Sequence, residues 1–238
     1  MSIVSLGSKG VAATGTIAAT SIIPVGTLLL VASVGSTTVG GTVEGVRNSI
    51  ISVTDACGNT YKKIGEYGDD FHGEPTSYSC GLFMSIVGAQ IGTSDRIYNG
   101  GIAGVTWAFS LAANSGVILA DLKQDDCPGS GNSFRSQTSA TMISREHLFF
   151  KVSGGSMNLN IGAVTTPTAG FTSLAACSGA IGGGSFPYVG LTGEFRIVTA
   201  ASATSNPALV TYAPGFGGEL FASIYEQPIS TPFFANNF

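Results

Sequence analysis

Hydrophobic residues along this chain form short apolar runs or alternate strictly with polar ones, and turn-forming residues separate these stretches. The runs "TLLLVASV" (27–34) and "EHLFFKV" (146–152) are apolar almost throughout, which is typical of central strands covered on both faces. The stretch "GVTWAFSL" alternates, so Val105, Trp107 and Phe109 share one face, and we expect Trp107 in the core. Helical spacing of apolar residues, with caps, is not found in any stretch of about a dozen residues. The pattern predicts an all-β chain.

Clusters of Gly, Asn, Ser or Pro separate most of the predicted strands, and this spacing is typical of an antiparallel β-sheet protein. We expect an antiparallel β-sandwich or jelly roll with long Gly-rich loops, in one domain over 1–227; a subdivision near 123–146 is the alternative. The predicted strands cover residues 15–19, 27–34, 50–54, 60–64, 82–90, 105–111, 116–122, 147–153, 193–200, 208–212 and 219–225.

The stretch "ISVTDACGNTYKKIG" (51–65) alternates, breaks at turn-forming residues and then resumes. Asp55, Gly58 and Asn59 occupy the break, and these residue types tolerate turn conformations of the backbone. The stretch predicts a β-hairpin with a loop of about four or five residues. In the alternative interpretation, Asp55 and Asn59 are ligands for a cation or a sugar, but the local sequence brings no other acidic residue to them.

Charge is scarce in this chain. Charged residues make up 10% of the 238 residues, and glycine supplies 34 of them; ordinary soluble domains have about 25% charged residues. A surface with so little charge associates readily, so we expect a chain that is secreted, embedded in a membrane or held in an assembly. The net charge of −4 indicates no nucleic-acid partner.

Neither a membrane helix nor an export signal is expected. The longest apolar stretch, "IIPVGTLLLVASV", has about 13 residues and contains Pro24 and Gly26, whereas a membrane helix needs about 20 apolar residues. Lys9 is the only charged residue before Glu44, so the stretch fits a strand of the mature protein better than a signal peptide. We therefore expect synthesis in a host cytoplasm, no signal peptide and no membrane partner.

The cysteines show no metal-site or redox spacing. Four cysteines allow three disulfide pairings, among which the sequence does not choose. Free and mostly buried thiols are expected, and one or two disulfides are the alternative. The cysteines are Cys57, Cys80, Cys127 and Cys177.

Two long segments resist assignment to strands, and the second of them and the C-terminal stretch are expected to make contacts. Residues 123–146 are polar and turn-rich, and residues 154–190 are glycine-rich and uncharged, with one more strand expected over 161–174. Loops of this length are usually functional, disordered or in contact with a partner. The segment 228–238, "PISTPFFANNF", predicts an extended docking arm, because exposed phenylalanines are costly unless they dock; packing on its own domain is the alternative. Its aromatic residues are Phe233, Phe234 and Phe238.

The sequence gives little evidence of catalytic residues. The only histidines are His72 and His147, and no Gly-x-Ser-x-Gly motif accompanies them. The adjacent pairs Asp69–Asp70 and Asp125–Asp126 suit glycoside hydrolysis poorly, because that reaction needs two carboxylates facing each other across a sugar. A cation site is the alternative to solvated loop charges at these pairs. We therefore predict no catalytic residue, no cofactor and no metal.

The loop "EYGDDFHGEPTSY" carries the aromatic residues best placed for a surface contact. Tyr67, Phe71 and Tyr78 surround charged and turn-forming residues there. Flat rings of this kind can hold the apolar face of a sugar. This loop is the candidate contact for a glycan or a receptor.

The order of several pieces resembles β-sandwich modules of tailed-bacteriophage virion proteins and of some bacterial surface proteins. The pieces are "IPVGTLLLVASVG", "ISVTDACGNTYKKIGEYG", "GLFMSIVGAQI", "GVTWAFSL" and "GVILADLKQ", and they cover about the first half of the chain. In such modules a Gly-Asp-Leu-Leu-Leu-like strand precedes a Val-Thr-Asp-x-x-Gly-Asn-Thr-Tyr hairpin. Here Thr27 stands in the usual acidic place after Gly26. The resemblance implies a sandwich fold and supplies no catalytic residues.

These observations together predict a non-enzymatic virion structural protein. A capsid decoration (cement) protein of a tailed phage is the expected role, with tail or fibre components next. Expected partners are other virion proteins, either the major capsid protein or tail proteins, and further copies of the chain in a homo-oligomer. The alternative is a carbohydrate- or receptor-binding module of a phage tail or a bacterial surface.

Overall fold

The structure is a computed structural model, and it describes residues 3–37, 45–46, 50, 52–69, 77–113, 115–126, 135–157, 166–180, 188–207 and 214–228. Every regular element among these residues is a β-strand, which confirms the predicted all-β class. No helix in this part of the chain has the length and hydropathy needed to cross a bilayer. The strands are β1 (Val4–Ala12), β2 (Thr16–Ala18), β3 (Leu28–Thr37), β4 (Gly45–Val46), β5 (Thr54–Asp55), β6 (Lys62–Asp69), β7 (Ser77–Ile86), β8 (Arg96–Tyr98), β9 (Ala103–Ser110), β10 (Ser115–Asp126), β11 (Gln137–Thr138), β12 (Arg145–Met157), β13 (Thr172–Ser173), β14 (Cys177–Ala180), β15 (Tyr188–Ala200), β16 (Thr204–Ser205) and β17 (Pro214–Pro228).

The first large sheet takes its strands from the first half of the chain. Its six strands lie in the order β1-β9-β3-β7-β6-β4, and all neighbours are antiparallel. β3, near the middle, contains the apolar run predicted to be covered on both faces. Leu28 and Leu30 belong to the core on one side of it, and Leu29 and Val31 to a separate cluster on the other. The prediction for this run is confirmed.

The second large sheet takes its strands from the second half of the chain. Its order is β10-β17-β12-β15-β13, and β14 also pairs with β15. β12 contains the second apolar run, and its neighbours Phe149 and Phe150 are both buried although they point to opposite faces. The two large sheets pack on each other as a β-sandwich, and each is built from its own half of the sequence.

The main core lies between the two sheets. Phe109 of β9 packs edge-to-face against Phe150 and Phe195 of the second sheet, with ring centroids 6.4 and 5.5 Å apart. Trp107 lies in the same cluster and is buried, as its alternation pattern predicted. Burial of each large apolar side chain contributes about 1.5–3 kcal/mol, so this layer supplies the main driving force for joining the sheets.

Each sheet also carries a second layer on its outer face. The three-stranded sheet β2-β8-β5 accompanies an apolar cluster on the first sheet that includes Leu29 and Phe83. On the second sheet, the stacked rings of Phe149 and Phe221 pack with Phe171 and Ala203, beside the β11–β16 pair. The chain is therefore layered outward from the central core on both sides.

The predicted hairpin over 51–65 is wrong in its pairing. Residues Thr54 and Asp55 pair with Tyr98 and Ile97 of β8, whereas β6 pairs with β7 and β4. The turn itself is present, with Gly58 at a φ of +81°. A turn forms from local residues, but the partner of a strand is chosen by distant ones, and this explains the difference.

Other strand predictions were short or incomplete. β10 continues to Asp126 and β12 begins at Arg145, so strands occupy both ends of the segment expected to be a loop. β1 and β8 were not predicted. In the glycine-rich segment, the described part of the expected strand over 161–174 holds β13. The strand expected over 208–212 lies outside the described residues.

Candidate functional site

The outer face of the second sheet buries an ion pair. Lys151 of β12 and Glu219 of β17 are both fully buried, and Lys151 Nζ lies 3.1 Å from Glu219 Oε2. The two side chains hold one peptide unit of the covering chain: Arg135 N–H donates to Glu219 Oε1 over 3.3 Å, and Lys151 Nζ donates to the Arg135 carbonyl. We call this arrangement the inner clamp, and it fixes the start of the chain that leads through β11.

Burial raises the pKa of Glu219 to about 7, although the charge of Lys151 and the hydrogen bond from its ammonium group work in the opposite direction. Removing a carboxylate from water costs more than the paired ammonium returns. Near neutral pH the inner clamp therefore exchanges a proton with solvent, so its charge state depends on pH.

The Arg135 side chain ties the aspartate pair to the same region. Its Nη2 donates to Asp126 Oδ2 over 2.7 Å, and its Nε lies 3.5 Å from Asp125 Oδ1. The hydrogen bond with Asp126 raises the pKa of Arg135, and burial raises the pKa of Asp125. These carboxylates lie on β10 and pair with a guanidinium group. No group of three or more His, Cys, Asp or Glu side chains in the described ranges could hold a metal ion.

Glu194 of β15 anchors two further segments on the same face. The fully buried carboxylate accepts hydrogen bonds from the Thr168 N–H over 2.8 Å, from Thr168 Oγ1 over 2.7 Å and from Ser205 Oγ over 2.5 Å. Thr168 Oγ1 in turn accepts from the Asn206 N–H. A buried acceptor with several donors fixes both covering segments to the sheet.

His147 is also used structurally. Its Nδ1 lies 3.1 Å from Ser223 Oγ, and its Nε2 lies 3.3 Å from the Ile143 carbonyl oxygen. A serine and a histidine are thus adjacent, but both are buried and the ring's other nitrogen faces a carbonyl instead of a carboxylate. This geometry does not form a nucleophilic triad. His72 lies outside the described residues.

A second Lys–Glu pair holds the chain that covers the first sheet. Glu66 is fully buried and pairs with Lys63, whose side chain is 23% exposed. Ile50 N–H donates to the Glu66 carboxylate over 3.2 Å, Lys63 Nζ donates to the Ile50 carbonyl over 2.8 Å, and Ser79 Oγ donates to Glu66 over 2.5 Å. We call this arrangement the outer clamp; it repeats the geometry of the inner clamp on the other half of the chain.

The carboxylate of Asp55 is fully hydrogen-bonded to nearby residues. Asp55 Oδ1 accepts from the N–H groups of Cys57 and Asn59, and Oδ2 accepts from Asn59 Nδ2 and from the Tyr61 hydroxyl over 2.7 Å. Burial alone would raise the pKa of Asp55, but the hydrogen bonds from Asn59 and Tyr61 lower it below the usual value. Asn59 Oδ1 also accepts from the N–H groups of Gly88 and Ala89. The proposed ligand atoms of Asp55 are thus occupied by the turn and by Tyr61, and Asn59 Oδ1 is occupied by the backbone of Gly88 and Ala89.

The described cysteines are free. Cys80 and Cys177 are buried and Cys57 is half-buried. Burial raises the pKa of Cys177 to about 11, so this thiol stays protonated at neutral pH and is a poor nucleophile. Cys127 lies outside the described residues.

A groove opens on the outer face of the second sheet, near β10. It has a volume of about 330 Å³. The Arg145 guanidinium lies over the Tyr225 ring, 4.4 Å from its centroid, and His147 packs edge-on against the same ring. Ile143, on the rim, is 72% exposed. The remaining lining residues are Ile118, Leu119, Ala120 and Met142. The groove offers an aromatic ring, a cation and apolar walls to a ligand.

Of the six predicted contact residues, two lie in the part of the chain that the structure describes. Tyr67 of β6 and Tyr78 of β7 are half-buried, and Tyr78 packs against the main core. The carbonyl of Tyr67 approaches β17 so closely that a Cβ on Gly218 would lie 1.9 Å from it. Their role in binding stays a prediction. Phe71, Phe233, Phe234 and Phe238 lie outside the described residues.

The sequence reasoning missed both clamps and the groove. A signal for the inner clamp was present: Lys151 follows the apolar run "LFF" and precedes Val152, and Glu219 is the single charge in "GELFASI". Such charges are rarely buried unless they are paired. Comparison of the chain with protein-family models, with curated proteins and with solved structures finds no match in any of the three. Its function must therefore be argued from its own residues.

Proposed function

We propose that this chain is a non-enzymatic structural protein of a virion, and within that class a capsid decoration (cement) protein of a tailed bacteriophage. Tail or fibre components are the next role in the same class. The observation that carries the proposal is the surface: few charges lie on it, several glutamates and a lysine are buried as anchors, and a set of large apolar side chains is exposed. Among the described residues the exposed ones are Val4, Leu6, Val11, Ile22, Val25, Ile86, Tyr98 and Ile143.

A surface of this kind is suited to neighbouring molecules. The exposed apolar side chains lie mostly in the first half of the chain, and only 10% of all residues are charged. Both features favour burial against other subunits at about 25 cal/mol per Å². A decoration protein that binds only the assembled shell adds its binding free energy to the stability of that shell. No chemistry is required of it, in agreement with the use of Lys151, Glu219, Glu66 and Glu194 as anchors.

The phage assignment is supported by the resemblance of the first half of the chain to virion modules. In this half the quoted pieces lie in β3, the Asp55 turn with β6, β7 and β9, and the last piece lies in β10. These strands supply one sheet of the sandwich and the edge strand of the other, an arrangement that is compatible with such a module but is not specific to one.

The test is whether the chain belongs to particles of the virus that encodes it. Virions are purified on a density gradient, and the chain is quantified by mass spectrometry against the major capsid protein. A ratio of the same order as one copy per capsid subunit supports decoration, and a ratio of tens of copies per particle places the chain in the tail. Absence from intact particles, or specific binding to a glycan array with no particle association, overturns the proposal.

A further inference from the structure

The groove on the second sheet contains a cation without an ionic partner. The Arg145 guanidinium lies 4.4 Å from the centroid of the Tyr225 ring, and it makes no hydrogen bond or ion pair with any described residue. Arg135, in contrast, holds Asp125 and Asp126. A guanidinium stacked on a ring keeps its N–H donors at its edge, in a fork that fits a planar anion. Arg145 is exposed, so its charge is accessible to a ligand.

The carboxylates next to the groove residues in sequence are engaged elsewhere. Asp121, Glu146 and Glu226 directly follow three residues that line the groove. Each of these carboxylates accepts the backbone N–H of another segment. They fix the surrounding chain and leave the positive charge of the groove unpaired, so an anionic ligand would complement it.

The walls of the groove are built into the fold. Ala120 lines the groove and is the extra residue of a β-bulge in β10, without a partner on β17; a bulge bends its strand locally. The wall before β12 is fixed by the Met142 N–H, which donates to the Ala201 carbonyl over 2.8 Å, and by the Ile143 carbonyl, 3.3 Å from His147 Nε2. A groove whose walls are fixed in advance binds at a lower entropic cost.

The lining of the groove selects a chemical class of ligand. Its volume is about 330 Å³, and most of its lining side chains are aliphatic or aromatic. A carboxylate carries one charge and two oxygens that match the fork of one guanidinium. A phosphate group carries up to two charges and three strong acceptor oxygens, more than one arginine satisfies. Sugar hydroxyls would lose their hydrogen bonds against the aliphatic walls. A carboxylate on an apolar body therefore fits best.

We propose that the groove binds an organic carboxylate with an apolar body of about one ring. The carboxylate pairs with Arg145, and the body contacts the aliphatic side chains of Ile118 and Ile143. A free small acid and the C-terminal end of a peptide present the same group. The inference goes beyond the proposed function and does not depend on it, because a structural role requires no such ligand.

The first experiment follows Met142 in the full chain. The chain has four methionines, so ¹³C labelling of their methyl groups gives few signals, and Met142→Leu identifies the signal of Met142. 3-Phenylpropionate is compared with 3-phenylpropanamide, which has the same shape without the charge. We expect a saturable shift with a Kd of about 1 mM for the acid and about tenfold weaker binding of the amide.

Met84 is the internal control, because it packs against the main core, and its signal should not move. A static Met142 signal, or equal binding of acid and amide, overturns the proposal. Equal shifts of Met84 and Met142 would mean nonspecific binding and overturn it as well.

The second experiment separates the charge from the apolar walls. Arg145→Met should weaken binding of the acid about tenfold, to the level of the amide, and leave the amide unaffected. Ile143→Ala, at a residue that is 72% exposed, should weaken both about threefold. Urea midpoints equal to that of the native chain show that folding is intact.

Lys123→Met is the matched control for Arg145→Met. It removes the same charge from a β10 side chain that is 42% exposed and lies outside the groove lining. We expect it to leave both affinities unchanged. Equal losses of acid binding in Lys123→Met and Arg145→Met would indicate a general effect of net charge and overturn the proposal.

Peptides distinguish the two sources of the carboxylate. Acetyl-Gly-Gly-Phe with a free C-terminus presents the same group as 3-phenylpropionate, and its C-terminal amide is the control. Binding of this peptide at least as tight as that of the free acid identifies a protein C-terminus as the ligand, and binding of the free acid alone identifies a small molecule. Failure of both acids to bind overturns this inference and leaves the structural role, which particle composition tests, unaffected.

Discussion

The two clamps perform the same task in different surroundings. In each, a glutamate accepts the N–H of one residue of the covering chain and a lysine donates to the carbonyl of that same residue: Ile50 in the outer clamp and Arg135 in the inner one. The outer clamp leaves Lys63 23% exposed, whereas Lys151 and Glu219 are fully buried. The two clamps share one hydrogen-bond geometry. They differ in the free-energy cost of burying their charges, which is higher for the inner clamp.

The residue held in place also differs between the clamps. Ile50 is itself fully buried, and its side chain lies over Gly35 and Gly81. Arg135 keeps its side chain 44% exposed, so only its backbone is held. On the first sheet, apolar packing and the clamp act together. On the second sheet the clamp itself holds only backbone, and because Glu219 titrates near neutral pH, stability there should depend more on pH.

The largest effect is expected from breaking the inner clamp. Lys151→Met leaves Glu219 buried without its cation and should lower the free energy of unfolding by about 3–5 kcal/mol. Lys63→Met in the outer clamp should cost clearly less, about 1–2 kcal/mol, because water reaches that lysine. Urea unfolding at pH 8 measures both.

The double variant Lys151→Met with Glu219→Met tests the reason for that loss. It should be more stable than Lys151→Met alone, since no unpaired charge remains, yet less stable than the native chain, because the Arg135 N–H and carbonyl lose their partners. Equal losses for Lys63→Met and Lys151→Met would mean that burial does not distinguish the clamps.

The pH dependence of stability should come from the inner clamp. The pKa of Glu219 is about 7 in the folded chain against 4.5 for a free glutamate, so the folded state binds the proton more tightly. Stability should therefore be greatest below about pH 4.5 for this group, fall as the pH rises from 4.5 to 7, and level off above that, by roughly 3 kcal/mol in total.

Urea midpoints at pH 5 and pH 8 measure this fall. Glu219→Gln removes the titrating group, so its midpoint should change less between the two pH values than that of the native chain. Asp55, whose pKa is lowered, contributes in the opposite direction and only below about pH 4, outside this window. An unchanged pH dependence in Glu219→Gln would assign the titration to another group.

Packing under the outer clamp should be sensitive to a single methyl group. A Cβ on Gly81 would lie 2.8 Å from Ile50 Cδ1, so Gly81→Ala should cost about 1–3 kcal/mol through overpacking. Ile50→Val removes that Cδ1 atom at a cost of about 0.5–1.5 kcal/mol. The double variant should therefore lose less than the sum of the single losses. Strict additivity in urea unfolding would show that the two positions do not share this space.

The layers of the fold could be predicted from the sequence, because period and run length report burial directly. The runs that form β3 and β12, and the alternation that buries Trp107, identified strands covered on one or both faces. Pairing could not be predicted in the same way. Thr54 and Asp55 are adjacent to β6 in sequence but pair with β8, since register depends on side chains far along the chain.

The pairing within the clamps could not be predicted for a related reason. A charge among apolar strand residues indicates a buried partner, but Lys151 and Glu219 are separated by the whole of β15 and its flanking segments. The groove beside Tyr225 is assembled from β10, β17, β12 and the chain before β12, and no local pattern marks such a site.

The smallest effect concerns the side chain of the residue held by the inner clamp. Arg135→Ala removes the contacts with Asp125 and Asp126, but leaves the backbone N–H and carbonyl that Glu219 and Lys151 bind. Because the guanidinium is 44% exposed, its loss should cost only about 0–1 kcal/mol. Added salt should reduce the difference in free energy of unfolding between the native chain and Arg135→Ala, because salt screens exposed ion pairs. A loss near that of Lys151→Met would mean that the clamp depends on the Arg135 side chain as much as on its peptide group.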